Sequence, residues 1–285
     1  MLGGIDIRIL NVKEFELSKK LWLECFPEDD EFFVDFYYSQ RSKPEYVLGA
    51  FLNGEDAPSA MLHIIPVEMR FGGRDCPVGL VSGVCTKPEY RCRGLCARLF
   101  EKAVPLMRDK GFAASVLQPF REGFYERFGY RFFIERNLVT AYKPMVSSVV
   151  KPKRVEPDAA LLASLYGKAM EKYSGYTIRD GSYFKAFIEE FTLPGAELVV
   201  SETGCCSGYS EDGGETFAAS ELFVLPGTDP LSLFPEGYEK YIFPLPKSIA
   251  VPEGCKAVSR KFSMILELEC GLLSENGSFY GFDRY

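Results

Sequence analysis

The sequence predicts a mixed α/β protein built as two successive units. Three observations carry that prediction. Two helical segments and three strand-like runs joined by glycine turns open the chain; a proline-containing stretch without apolar periodicity interrupts it at 143–157; and a second helix, helix, strand order comes after it. A chain of 285 residues has room for two cores at the common domain size of about 150 residues. The expected division is therefore a first unit at 1–142, a linker at 143–157, and a second unit with a short tail at 158–285.

In the first unit, residues 13–25 and 29–41 read as helices, the second opened by Glu28, Asp29, Asp30 and Glu31, whose negative charge suits a helix N-terminus. Strand-like runs follow at Glu45 to Leu52, Ala60 to Arg70 and Val78 to Thr86, with Asn53-Gly54 and Gly72-Gly73 at the turns. A helix from about Arg93 to Gly111 places Leu95, Leu99, Ala103 and Leu106 on one face and Lys102, Arg108 and Asp109 on the other. Gly111 sits where a left-handed cap is expected, and Pro105 predicts a kink. Phe112 to Leu117 reads as a strand, Arg121 to Phe128 as a short helix with Phe120, Phe124 and Phe128 on its packing side, and Tyr130 to Ala141 as a strand.

The second unit starts with Asp158 as the cap of a helix over Ala159 to Lys172. A helix over Ser182 to Phe191 and strands at Ala196 to Ser201, Thr216 to Val224 and Phe262 to Glu269 complete the reading. The shared helix, helix, strand order suggests a diverged structural repeat.

Composition narrows the chemistry. Forty acidic against 33 basic residues give a net charge of −7, which disfavours a nucleic-acid binder. The absence of an apolar run of about 18 residues and of a leader-like start predicts a cytoplasmic protein with no membrane segment. Nine cysteines without a C-x-x-C pair read as reduced, mostly structural thiols. The single histidine, His63, lies in a strand-like run and reads as a satisfied core residue; Ser-His-Asp, Cys-His and multi-histidine metal chemistry would all have to use it. No metal is expected.

The informative segment runs from Gly79 to Phe100: a strand, a turn containing Arg91-Cys92-Arg93-Gly94-Leu95-Cys96, and an amphipathic helix. Unpaired N–H groups at a helix start, with the positive end of its dipole, make an anion site, and a glycine there lets a phosphate approach the backbone. Arg91, Arg93 and Arg98 add positive charge.

This turn resembles the phosphate-binding signature of the GNAT family of acyl-coenzyme A dependent N-acyltransferases, Gln/Arg-x-x-Gly-x-Gly/Ala between a strand and a helix. Arg91-x-x-Gly94 fits, and Cys96 departs from the final small residue. The longer run Gly83-Val-Cys-Thr-x-Pro-x-Tyr-Arg-x-Arg-Gly-Leu, with Phe124-Tyr125-Glu126-Arg127-Phe128-Gly129-Tyr130, is similar to the enhanced intracellular survival (Eis) subgroup, where a bulky residue follows the turn.

The resemblance implies a mixed, mostly antiparallel central sheet with flanking helices, followed by a degenerate GNAT-like unit that binds no coenzyme A. Leu165-Tyr166, Tyr173-Ser174-Gly175 and Arg179 resemble the opening of that second unit. The family's third, sterol-carrier-like domain finds no counterpart after Phe262 to Glu269, so a chain lacking it is expected. Carried residue by residue, Val84, Cys85 and Thr86 would offer backbone groups to the pantetheine arm of acetyl-CoA. Arg91, Cys92, Arg93, Gly94, Leu95, Cys96 and Ala97 would hold its pyrophosphate. Tyr125 would be the general acid, and the terminal carboxylate of Tyr285 the base.

The expected activity is acetyl transfer from acetyl-CoA to a primary amine of a small molecule or peptide, by direct attack rather than through an acyl-cysteine at Cys85 or Cys92. The alternative is a non-catalytic acyl-CoA-binding sensor or partner-recruiting protein. A transferase using charged tRNA is disfavoured by the acidic balance and the intact turn. The sequence leaves a homo-oligomer open and is silent on the amine.

Overall fold

The computed structural model describes residues 4–52, 54–121, 123–192, 195–273 and 279–281. The chain opens with strand β1 (Ile5–Ile9), helices α1 (Val12–Cys25) and α2 (Glu31–Gln40), and strands β2 (Val47–Leu52), β3 (Ala60–Phe71) and β4 (Arg74–Thr86). Helix α3 (Leu95–Asp109), β5 (Ala114–Leu117) and β6 (Arg131–Tyr142) come next. Then come α4 (Lys143–Ser148), α5 (Ala159–Met170), β7 (Ser174–Thr177), α6 (Gly181–Glu190), β8 (Ala196–Ser201), β9 (Gly204–Glu211), β10 (Thr216–Val224), β11 (Lys240–Pro246), β12 (Lys256–Glu267) and β13 (Phe279–Gly281).

Local chemistry sets the helix starts. Asn11 and Glu14 form a reciprocal capping box on α1, each side chain accepting from the other's backbone N–H at 3.0 Å. Asp30 caps α2 by accepting from Phe33 N at 2.8 Å, and Asp158 caps α5 by accepting from Leu161 N at 2.8 Å. Helix α3 continues through Pro105, which lies on its solvent side, while Leu95, Leu99, Phe100, Ala103 and Met107 are buried. Of the predicted linker, Lys143–Ser148 is helical, and Arg154 bridges to Ser201.

The thirteen strands among the described residues form one sheet in the order β1-β2-β3-β4-β5-β12-β6-β11-β10-β9-β8, with β7 joined to β3 and β13 to β7. The pairs β4–β5, β10–β11 and β7–β13 are parallel; the other named pairs are antiparallel. Strand β12, late in the chain, lies between β5 and β6, and β6, from the early part, pairs with β11. Outward from the β6–β12 seam, the order is β5-β4-β3-β2 on one side and β11-β10-β9-β8 on the other. Each half thus hands a strand to the other, and the exchange covers backbone edges that would otherwise be open.

Helices α1 and α2 cover one face of the first half, where Phe15, Trp22, Tyr37 and Tyr38 meet Met61, Ile65, Leu80 and Val116. Helix α3 covers the other, where Leu95, Leu99, Phe100 and Met107 meet Leu62, Ile64, Val81 and Leu117. Because both faces are covered, β2 is buried at every position. Among the described residues no helix is long and apolar enough to cross a membrane.

One predicted element is corrected. The expected helix at Arg121 to Phe128 is a single tight turn, Glu126–Phe128. Pro119 and the left-handed Gly123 and Gly129, at φ +78° and +88°, break the chain on either side of it. The packing side is corrected as well: Phe120 is 72% exposed, whereas Tyr125, placed off the stripe, is 3% exposed.

Candidate active site

The site begins where two strands part. Strands β4 and β5 pair from Val78–Ala114 to Val81–Leu117. Beyond that point β4 runs on to Thr86 without a β5 partner among the described residues. At the parting β4 bulges: Met61 opposes Cys85 while His63 opposes Ser82, so β4 carries one extra residue. Gly83 makes this possible. Its φ is +56°, and a Cβ there would stand 2.5 Å from the Trp22 ring, so both backbone and space require glycine. The gap is a cavity of about 150 Å³ whose walls include Phe26, Ser82, Gly83, Val84, Gln118 and Tyr125.

Of the predicted pantetheine residues, Cys85 is buried toward α1, while Val84 packs toward α3 and Thr86 is half-buried. Period-two alternation thus sends neighbouring side chains to opposite faces and leaves the backbone as the edge. The turn after β4 bends through two left-handed residues, Cys92 at φ +61° and Gly94 at φ +81°. Gly94 stands at the N-cap of α3 and no side chain caps the helix, so the first N–H groups of α3 have no side-chain acceptor there.

Arg91, Cys92, Arg93 and Gly94 are exposed around this helix start, and Cys96 and Ala97 are half-buried. Leu95 is buried in the core beneath α3, so only its backbone can meet a ligand. Arg91 Nε donates to the Thr86 carbonyl at 3.1 Å, tying the turn to the end of β4. Arg93 lies 5.4 Å from the Tyr90 ring centroid. Burial pushes the Cys96 thiol up to about 11, which removes it as a nucleophile near neutral pH.

Tyr125 faces the cavity from the side of α3, its ring 5.6 Å from Phe100 and 4.9 Å from Phe124. Burial, the largest influence, pushes its hydroxyl well above the ordinary tyrosine range, so the group stays protonated. Phe120 stands exposed at the mouth, its ring 5.8 Å from Tyr125. Tyr285 lies outside the described residues.

His63 sits directly behind Gly83, its Cδ2 3.1 Å from where a Cβ would be. Burial lowers its pKa to about 3, so the ring is neutral. Nδ1 lies 2.9 Å from Ser42 Oγ, and Nε2 has no partner among the described residues. In the acidic run, Asp30 is the α2 cap and Asp29 accepts from Trp22 Nε1 at 2.8 Å. The described residues that wall the cavity include no carboxylate or imidazole, and no group of three metal-ligating side chains occurs among the described residues.

Sequence reasoning assigned no site role to Ser82, Gly83, Gln118 or Phe26, although Ser82 and Gly83 lie in the segment it singled out. For Gly83 the signal existed: a lone glycine inside the apolar run Leu80-Val81-Ser82-Gly83-Val84 marks a bulge. Gln118, whose buried Nε2 has no partner among the described residues, enters the wall only because β5 ends at Leu117.

The sequence that builds this site matches a known family: residues 6–133 fit the acetyltransferase (GNAT) domain. This part of the chain is a GNAT acetyltransferase domain. No curated protein shows significant sequence similarity to the chain. Among solved structures, a GCN5-related N-acetyltransferase from Kribbella flavida is similar at 19% identity and TM-score 0.69, with 94% of this chain and 73% of that one covered. A conserved protein from Enterococcus faecalis V583, described as a probable N-acyltransferase, aligns at 16% identity and TM-score 0.76 over 94% and 74%. Eis1 from Mycobacterium abscessus aligns at 15% identity and TM-score 0.67 over 92% and 73%.

These likenesses extend the fold past the GNAT domain: the sheet-rich remainder resembles the second half of two-domain GNAT structures. GNAT membership implies an acyl-CoA-dependent acyltransferase that uses acetyl-CoA. The chain fits that cosubstrate, with a backbone edge, an uncapped helix start and flanking arginines set in sequence along one side of the sheet.

Proposed function

We propose that the chain transfers an acetyl group from acetyl-CoA to a primary amine of a small molecule or peptide, by direct attack of the neutral amine on the thioester. The parting of β4 from β5 carries this reading, because it opens the Tyr125 cavity at Gly83 and Val84, from which β4 continues without a β5 partner through Thr86 toward the turn at Arg91–Ala97. In it, Val84, Cys85 and Thr86 pair with the pantetheine arm as an added strand would. Arg91 and Arg93 and the N–H groups of Cys92 to Ala97 hold the pyrophosphate.

Tyr125 donates its hydroxyl proton toward the departing thiolate. A free thiol ionises near 8.5 and tyrosine near 10; burial raises Tyr125, and the same desolvation raises the thiolate's proton affinity, so the two stay matched. The base in this reading is the carboxylate of Tyr285. Residues 158–285 act as a degenerate GNAT-like unit without a cofactor, supported by the lack of an Arg-x-x-Gly turn after β10.

The test is amine-dependent release of free coenzyme A thiol from acetyl-CoA across polyamines, aminoglycosides, lysine derivatives and amine-bearing peptides. Tyr125→Phe should lower kcat by about 100-fold with acetyl-CoA affinity unchanged; a fully active variant removes the acid assignment. Deleting 281–285 should lower turnover at least tenfold, and an unchanged rate ends the terminal-carboxylate assignment. If no amine gives release while calorimetry shows acetyl-CoA binding, the protein is a binding module.

A further inference from the structure

We infer that Cys25 and Cys85 are a modification site: a hydroperoxide converts them to a disulfide that ties the end of α1 to the cofactor strand β4 and stops acetyl transfer. Cys25 closes α1 and turns its thiol toward β4, where Sγ lies 3.5 Å from the carbonyl oxygen of Thr86, the residue after Cys85. Cys85, 7% exposed, belongs to the core under α1, and half-buried Cys25 packs against that core. Arg91 reaches the same point through its 3.1 Å bond to the Thr86 carbonyl.

The two thiols are unlike. The Cys85 thiol, and after it Arg91, hold the Cys25 thiol below the ordinary cysteine range against the opposing effect of burial, and Glu24 opposes them weakly. Burial holds Cys85 well above that range. Cys25 is therefore the thiolate and the partly accessible sulfur, and Cys85 the resolving thiol. In the first step the Cys25 thiolate attacks one peroxide oxygen, the O–O bond breaks, and Cys25 sulfenic acid and hydroxide (or alkoxide) form. In the second, Cys85 sulfur attacks the Cys25 sulfur; its proton and the sulfenic hydroxyl leave as water. Two thiols have lost two electrons and two protons to one hydroperoxide.

A disulfide places the sulfurs about 2.05 Å apart, well inside the non-bonded contact of two free thiols, so the end of α1 must move onto β4. Phe26, the next residue, is a wall of the Tyr125 cavity, and Cys85 is the middle residue of the stretch assigned to pantetheine. The functional consequence rests on the acetyl-CoA reading; the bond itself does not.

The experiment treats the full chain with hydrogen peroxide, alkylates free thiols, and maps peptides without reductant. Expected is a linked peptide pair containing Cys25 and Cys85, two hydrogens lighter than its parts and separated by dithiothreitol. Coenzyme A release should fall at least tenfold in the linked protein, recover with dithiothreitol, and resist peroxide in Cys25→Ser, whose turnover before treatment matches the parent. Alkylation of both cysteines as free thiols, with oxidation confined to exposed Cys92 and Cys270, overturns the inference, as does undiminished turnover of linked protein. If reduced protein transfers acetyl to no amine, the activity reading fails separately. The peptide map on the parent protein still decides the bond, and acetyl-CoA affinity by calorimetry replaces turnover.

Discussion

Both halves of the sheet carry a parallel pair beside the β6–β12 seam, and the pairs are finished in opposite ways. Between β4 and β5 the chain makes a turn with two left-handed residues and a 15-residue helix, α3. Between β10 and β11 it makes only the short turn Pro230–Leu233, and Leu231, Leu233 and Phe234 are buried. The Phe234 ring lies 4.7 Å from Phe243 and 5.5 Å from Tyr241, aromatic contacts that fill the space beside the second pair. Both β4 and β10 bulge, at Met61/His63 and at Ala219/Glu221, so a bulge alone does not make a site. The difference lies in the segment after the strand: an uncapped helix start offers N–H groups to an anion, and a plug of side chains offers none.

The largest effect expected from disturbing this contrast is Phe234→Ala, which should cost about 3–5 kcal/mol of stability in urea unfolding and yield no second acetyl-CoA site by calorimetry. A second site would show that only the plug separates the halves. Next, Gly94→Val forces a β-branched residue into a left-handed backbone, a strain of about 1–3 kcal/mol, and should weaken acetyl-CoA binding at least tenfold. Gly227→Val, at φ +86° and with open space around it like Gly94, should bear similar strain and leave acetyl-CoA affinity unaltered. Equal affinity in all three proteins would detach the turn from the cofactor.

The smallest effect concerns acid. His63, the one histidine of the chain, is in the first half, and burial lowers its pKa to about 3. Unfolded histidine binds a proton near 6.5, so the unfolded chain binds more protons between those values. The neutral ring's contribution is complete above pH 6.5 and declines as pH falls toward 3. Between pH 7 and 5.5 the loss should be about 1 kcal/mol. A urea midpoint that falls over this interval in the parent and less in His63→Gln is expected; equal slopes would show that the histidine is not the cause.

Legibility followed the range of the interactions. Asp158 as a cap, the Gly72-Gly73 turn and the helix start at Gly94 were readable because each depends on a few adjacent residues. β9 was missed because Gly204-Cys-Cys-Ser-Gly-Tyr-Ser-Glu211 offers little β-branched signal, and β11 because it contains Pro244 and Pro246. Those prolines are tolerated because β10 pairs with β11 only over Lys240–Ile242. The helix read at Arg121 to Phe128 failed because phenylalanines spaced by four suggested a period that Pro119, Gly123 and Gly129 prevent. With it went the view of Tyr125 as lying away from the packed face, when its ring is both core and cavity wall.

The residues alone pointed to a mixed α/β chain and to a glycine- and arginine-bearing turn before a helix that resembles a GNAT signature. These are local properties, decided by backbone preferences and charge within a few residues. Tertiary structure alone decided that β12 crosses into the first half, that β5 stops at Leu117 so that a cavity opens, that Gly83 stands against Trp22 and His63, and that the Cys25 thiol reaches the Thr86 carbonyl beside Cys85. Each depends on which distant segments share a face or an edge, set by pairing and packing across the whole sheet.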